Sequence, residues 1–155
     1  MKLLSVANEC VIDKGEYTGP SPDEIELVKF SKNVGFELIN DKPLQIKVKQ
    51  QLLEPSDPSG IQIEENVIEK TYEVYRRMEF DSDRKRMSIL IKDLDDGLIK
   101  LYTKGADSII IDRLDLNQKD DALMTEVNLF LKEASCNGLR TLCMAMRVID
   151  EGELK

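Results

Sequence analysis

Phe80, Lys85 and Lys104 are suited by type and spacing to hold a small anion that carries a flat ring. Arg76, Arg77, Arg84, Lys85 and Arg86 fall within eleven positions, with the acids Glu79, Asp81 and Asp83 between them, so this window carries about +2. The 155-residue chain carries −8, which leaves about −10 for the remainder. A basic island in an acidic protein attracts anions locally. If residues 86–91 and 98–103 pair as a hairpin around a 92–97 loop, opposed residue numbers sum to 189 and Lys85 faces Lys104. Like charges directly opposed on a sheet are destabilising unless an acid or a bound anion compensates them. Phe80, five residues before Lys85, returns to the same end of the hairpin. A ring beside two ammonium groups makes a nucleotide cradle, with stacking worth roughly 1–3 kcal/mol per base and the ammonium groups meeting phosphate oxygens. A plainer reading stands beside it: solvated lysines at strand ends, a core phenylalanine, and Arg84, Lys85 and Arg86 paired with Asp81 and Asp83.

These residues need a scaffold, and the sequence supplies its parts. Ser21 suits an N-cap, Pro22 the first helical position, and Glu24 the partner place of a capping box. Ile25, Leu27, Val28 and Val34 give that helix an apolar face, and Gly35 stops it. Residues 36–39 and 45–49 read as short half-buried strands, 71–80 and 86–91 as longer ones. Met87, Ile89 and Ile91 share a core face. Asp95-Asp96-Gly97 marks a turn, and 98–103 returns as the partner strand. Helices are expected over 106–114 and 120–137, the second on the spacing of Leu123, Val127, Phe130, Leu131 and Ala134, with Gly138 as its stop. Residues 139–148 are nearly all apolar, as in a central strand covered on both faces. Cys136 and Cys143 are expected to be buried. The fold class is α+β, an antiparallel β-sheet flanked by helices. Residues 1–155 form a single domain, with a flexible loop insertion around 54–65 signalled by Pro55, Pro58 and Gly60.

Composition narrows the chemistry. The length supports one buried core, and 41% apolar with 34% charged residues describes a globular chain. The acidic balance argues against nucleic acid as a partner. No apolar run approaches membrane-spanning length, and the first residues are no secretory signal. Cys10, Cys136 and Cys143 form no paired motif, which fits a reducing cytosol. The chain has no histidine, so a Ser-His-Asp or Cys-His system and a histidine-ligated metal are excluded. A stand-alone kinase or ATPase would need a phosphate loop or a metal-binding acid cluster, and no GxxxxGK[ST] occurs. An acidic protein-interaction domain without nucleotide binding is the alternative from another class.

Ser21-Pro22-Asp23-Glu24, Phe80 to Ser88, Lys104-Gly105-Ala106-Asp107 and Gly138-Leu139-Arg140-Thr141-Leu142 occur in the order and approximate spacing of a known family. Together they resemble the nucleotide-binding domain of P-type ATPases, over about residues 5 to 150. The Ser-Pro-Asp-Glu start, Arg-Lys-Arg-Met-Ser, and Asp after Lys-Gly-Ala resemble the type IV branch, the phospholipid flippases, more than the cation-transporting pumps, which remain the alternative within the family. The resemblance implies that Phe80 stacks on adenine, Lys104 lies at the bottom of the pocket, Lys85 borders base and phosphates, and Arg140 reaches a phosphate. It further implies that Ser82 bonds the purine, that Gly105 admits close approach of the ligand, and that Glu24 accepts from the adenine amine. For Glu24 the capping box competes with that role. Arg84 and Arg86 are expected to support the fold or a domain interface.

The sequence has no Asp-Lys-Thr-Gly-Thr segment and no Gly-Asp-Gly-x-Asn-Asp segment. The chain is therefore expected to be an excised cytosolic domain of an integral membrane protein, a monomer in isolation, with no catalytic or metal-ligating residue of its own. The implied partners are ATP and the phosphorylation and actuator domains of the same full-length protein, without direct membrane contact. Mg2+ would be held mainly by the phosphorylation domain. The parent would be an ATP hydrolase and phospholipid translocase, and the isolated chain should not turn over.

Overall fold

In the computed structural model, residues 1–42, 44–51, 67–119 and 122–154 are described. The loop expected around 54–65 lies outside them. The first elements are short: helix α1 (Lys2–Val6) and the hairpin of β1 (Val11–Asp13) with β2 (Glu16–Thr18). Helix α2 (Pro22–Asn33) follows, and its start is built as its sequence directs. Ser21 is extended, its Oγ accepts the Glu24 N–H at 3.2 Å, and Pro22 opens the first turn. Gly35, with φ +90°, lets the chain turn away into the sheet.

The sheet is an antiparallel meander whose spatial order equals its chain order: β3 (Phe36–Lys42), β4 (Gln45–Gln51), β5 (Val67–Asp81), β6 (Arg86–Asp93), β7 (Ile99–Gly105) and β8 (Cys143–Ile149). Between β7 and β8 lie α3 (Asp107–Ile111), α4 (Leu116–Lys119) and α5 (Ala122–Cys136). A 3-10 helix, Glu151–Leu154, follows β8. The core gathers Val6 and Cys10, Val28 of α2, and Leu38, Ile46, Val48, Tyr72 and Val74 of β3 to β5. Met87, Ile89 and Ile91 join it, all but sealed from solvent, as their alternation predicts, and Ala7 and Tyr102 complete it.

Four expectations need correction. The β6–β7 hairpin pairs Arg86 with Gly105 and Met87 with Lys104, so opposed numbers sum to 191 and Lys85 does not face Lys104. The cause is at the turn. β6 runs on to Asp93, whose side chain is only 2% exposed and ion-paired with Lys100 at 2.8 Å. The Asp93 N–H donates to the Leu98 carbonyl, and the Gly97 N–H to the Asp93 carbonyl. Holding Asp93 inside shortens the loop and advances the register by two. Next, β8 is an edge strand, paired to β7 and exposing Met144, Met146 and Val148. Its neighbour β7 is paired on both edges, with Lys100, Tyr102 and Lys104 buried on one face and Leu101 and Thr103 half-buried on the other. Third, Leu123 and Phe130 of α5 are exposed, while Ala134 is buried. Last, Cys136 is exposed and Cys143 half-buried, and the sealed thiol is that of Cys10. Among the described residues no helix is long and apolar enough to cross a membrane.

Candidate nucleotide-binding site

The ends of three strands and the start of α2 meet on one face of the sheet. Glu24, Phe80, Lys85, Lys104, Gly105 and Arg140 line one cavity of about 900 Å³, joined by Glu9, Asp23 and Met87. Its volume lies within the range of small-molecule sites. Of the seven expected site residues, Ser82 alone is not in the lining; it is exposed in the turn between β5 and β6.

Lys104 enters this cavity from the last turn of pleat in β7. It is 3% exposed, and its Nζ lies 2.6 Å from Oε1 of Glu24. The same Oε1 accepts the Glu9 N–H at 3.2 Å. The compensating acid for a buried lysine is therefore Glu24, and half of a capping box is formed: Ser21 caps the helix, while the Glu24 carboxylate turns into the cavity. Placing that carboxylate on the first turn of α2 also sets it at the positive end of the helix dipole. Beneath it the Cys10 thiol is raised to about 11, by burial first and by the Glu24 charge next. Cys10 is thus a packing residue at neutral pH, not a nucleophile.

Phe80 is not a core phenylalanine. Its ring is 59% exposed at the cavity lip. The strand register slips between Met78 and Asp81. In a regular strand Met78 and Phe80 would share a face; across this irregularity Phe80 lines the nucleotide-sized cavity and Met78 a different one. The Phe80 N–H, released from the ladder, donates to Glu9 Oε1 at 2.5 Å. Glu9 thus ties the backbone under the ring to the acid that holds Lys104.

The turn from β5 to β6 is closed by Asp81. Its Oδ1 accepts the N–H groups of Asp83 and Arg84, each at 2.9 Å, and its carbonyl accepts that of Lys85 at 2.7 Å. Among the described residues Arg84, Lys85 and Arg86 have no ion pair with Asp81 or Asp83. Lys85 takes a left-handed φ of 52°, and its exposed side chain lines the cavity. Gly105 is fixed by packing: a Cβ there would fall 2.5 Å from the Lys85 carbonyl oxygen and 2.6 Å from Arg86 Cβ. What its missing side chain admits is the β6 backbone. Arg140 is delivered by the end of α5. Gly138 at φ +69° and the Leu139 N–H to Ala134 carbonyl bond reverse the chain. The guanidinium then lies 2.8 Å from Asp23, both groups well exposed, a contact that water and salt weaken readily.

Sequence reasoning missed Glu9. It sits in a stretch without helix or strand pattern, and only the folded position of Phe80 gives it a partner. Among the described residues no group of three or more Cys, Asp or Glu side chains is placed to hold a metal ion.

The family model described as P-type ATPase, cytoplasmic domain N, matches residues 1–155. Phospholipid-transporting ATPase DRS2 of Saccharomyces cerevisiae is 40% identical over 140 residues, covering 89% of this chain and 9% of its own length. Phospholipid-transporting ATPase IC of Xenopus tropicalis is 35% identical over 99% of the chain and 11% of its own length. The human protein of that name is 34% identical over 97% and 11%. The chain spans about a tenth of the length of these relatives.

Proposed function

This chain belongs to the P-type ATPases, as their cytoplasmic domain N, and from that membership we propose that its cavity binds ATP and presents the γ-phosphate to an aspartate on the phosphorylation domain of the same protein. The parent is an ATPase of this family, and we assign it to the phospholipid-translocating branch, on the kinship with DRS2 and the IC proteins. The observation that carries the reading is the pairing of an exposed Phe80 ring with a buried lysine in one cavity.

Adenine stacks on Phe80 at the lip. Glu24 meets its exocyclic amine through Oε2, since Oε1 already receives Lys104 and the Glu9 N–H. Lys104 stands at the floor, beside base and sugar. Lys85 and Arg140 border the phosphates, Arg140 leaving Asp23 to do so, because a planar fork suits a phosphate better than an exposed carboxylate partner. Ser82 is exposed in the turn and is not in the lining, and we assign it no contact with the purine. The tail projects outward, where closure of a second domain brings the acceptor aspartate into line. In-line transfer depends on positioning and charge neutralisation, and domain closure gates it. Mg2+ supplies charge neutralisation when bound, with no ligand assigned in this chain. The chain alone binds as a monomer and does not turn over.

The test is an ATP titration followed by heteronuclear NMR. Wild type is expected to bind with a Kd of roughly 0.1–1 mM, with shifts at residues 80–85, 104–106 and 140. Phe80→Ala and Lys104→Ala should weaken binding severely, roughly tenfold or more. Binding unchanged in both would remove the site assignment.

A further inference from the structure

The opposite face of the β6–β7 ladder carries a second cleft, of about 660 Å³, which the nucleotide site does not use. Successive strand residues point to opposite faces: Met87 and Lys104 line the first cavity, Ser88 and Thr103 the second. Four arginines line it: Arg84 in the turn before β6, Arg86 at the start of that strand, Arg113 after α3, and Arg147 of β8. The chain has an excess of eight acids over bases, yet this cleft is poor in counter-charge. Arg147 pairs with Glu153, Asp112 stands 4.0 Å from Arg113, and Asp115 lines the wall while its Oδ1 accepts the Asn117 N–H. Among the described residues no carboxylate pairs with Arg84 or Arg86. Arg86 Nη1 donates to the Arg84 carbonyl at 3.0 Å, which ties the fork of Arg86 to the turn before β6. Burial, reinforced by Arg113 and Arg84, pulls Arg86 below its ordinary range.

A second donor set faces the same space. Ser88 is 4% exposed, and its Oγ accepts from Thr103 Oγ1 at 2.9 Å. In such a pair one hydroxyl donates to the other, and the accepting hydroxyl keeps its own proton to donate. Two half-buried forks and a buried hydroxyl donor around one space match an acceptor with several oxygens at once. A phosphoryl group offers three, and arginine binds it bidentately. Apart from Gln118 the rest of the wall, including Met78, Leu101 and Ile110, is apolar and suits a carbon body attached to that group.

We propose that this cleft binds a phosphoryl group, held by Arg84 and Arg86 with the Ser88 hydroxyl, and independent of the nucleotide cavity on the other face. The group can be borne by a phosphorylated side chain of a peptide or come as free phosphate.

The test titrates the 15N-labelled chain with inorganic phosphate in one arm and with a short blocked phosphoserine peptide in the other, alongside its unphosphorylated twin. Shifts are expected at Ser88, Thr103, Gln118 and the side-chain N–H signals of Arg84 and Arg86. A peptide at least about tenfold tighter than phosphate, at a Kd of roughly 1 mM or below, identifies a phosphorylated side chain as the source. Equal affinity identifies the free ion. Arg86→Lys keeps the charge and loses the fork, and should weaken binding roughly tenfold. Arg147→Gln, exposed and so safe for folding, should weaken it less. The absence of shifts at these residues in both arms overturns the proposal. So do equal shifts with the unphosphorylated peptide, or undiminished binding in Arg86→Lys and Arg84→Gln chains that keep wild-type spectra.

Discussion

At the scale of the residue, the site depends on what each charged atom already holds. Glu24 Oε1 receives both Lys104 and the Glu9 N–H, and Glu9 Oε1 in turn receives the Phe80 N–H. The backbone of Phe80, the ring proposed to stack on a base, is therefore held by a carboxylate it does not share a strand with. Glu9→Ala should release the Phe80 backbone and weaken ATP binding roughly two- to tenfold, the worth of one net hydrogen bond of roughly 0.5–1.5 kcal/mol. Glu9→Gln keeps an acceptor oxygen and should lose less. The measurement is amide exchange at Phe80 alongside the ATP titration. Protection at Phe80 that is the same in wild type and Glu9→Ala would show that the bond does not position the ring. Glu9 also explains why part of the site was illegible: its neighbours give no periodic pattern, and its partner lies 71 positions away.

At the scale of the element, caps and close contacts decide where the strands and helix present their ends. Ser21, Pro22 and Gly35 made α2 readable, because the cap and stop rules act over four residues and need no tertiary knowledge. Ser21→Ala should cost about 1 kcal/mol of stability and loosen the first turn that carries Glu24, read by chemical denaturation together with ATP affinity. Gly105→Ala should do worse, since its Cβ would meet Lys85 and Arg86 backbone atoms at 2.5 and 2.8 Å. Overpacking of that kind costs about 1–3 kcal/mol, and a melting temperature equal to wild type would refute the contact. The existence of β6 and β7 was legible from alternation. Their register was not, because it turns on Asp93 being held inside by Lys100 rather than placed in the loop. The position of β8 was illegible for a different reason. An apolar run records what a strand is able to bury, not how many neighbours it has, and β8 stands at the sheet edge. The slip in β5 between Met78 and Asp81 likewise left no mark in composition, though it decides which face Phe80 serves.

At the scale of the whole molecule, the β6–β7 ladder separates binding from stability. One end carries the Lys104–Glu24 pair in the cavity; the other carries Lys100 and Asp93, with Lys2 3.4 Å from Asp93. Four steps of strand from Lys100 to Lys104 separate these ends by roughly 13 Å at 3.3–3.4 Å per residue. Burial would raise the Asp93 carboxyl, but the Lys100 hydrogen bond, the Asp95 N–H and the Lys2 and Lys100 charges outweigh it and hold it below its ordinary value. Burial would lower Lys100, and its bonds to Asp93 and Asp96 overcome that and raise it. The signs follow from linkage. Asp93 contributes stability above its unfolded value of 3.8, lost as pH falls through the folded value. Lys100 contributes below its unfolded value of 10.5, lost as pH rises through its raised one. Stability from this pair should therefore be level across neutral pH and fall in acid. Lys100→Met strands a buried carboxylate and should cost about 3–5 kcal/mol. Asp93→Asn should also destabilise the chain and flatten the acid limb of the stability curve. Neither change reaches the cavity, so the ATP affinity of the folded fraction should stay within about twofold of wild type. Denaturation from pH 3 to 9, paired with ATP titration at pH 7, reads both quantities. A large loss of affinity in Asp93→Asn at full folding would mean that the two ends of the ladder are coupled, and the separation drawn here would fail.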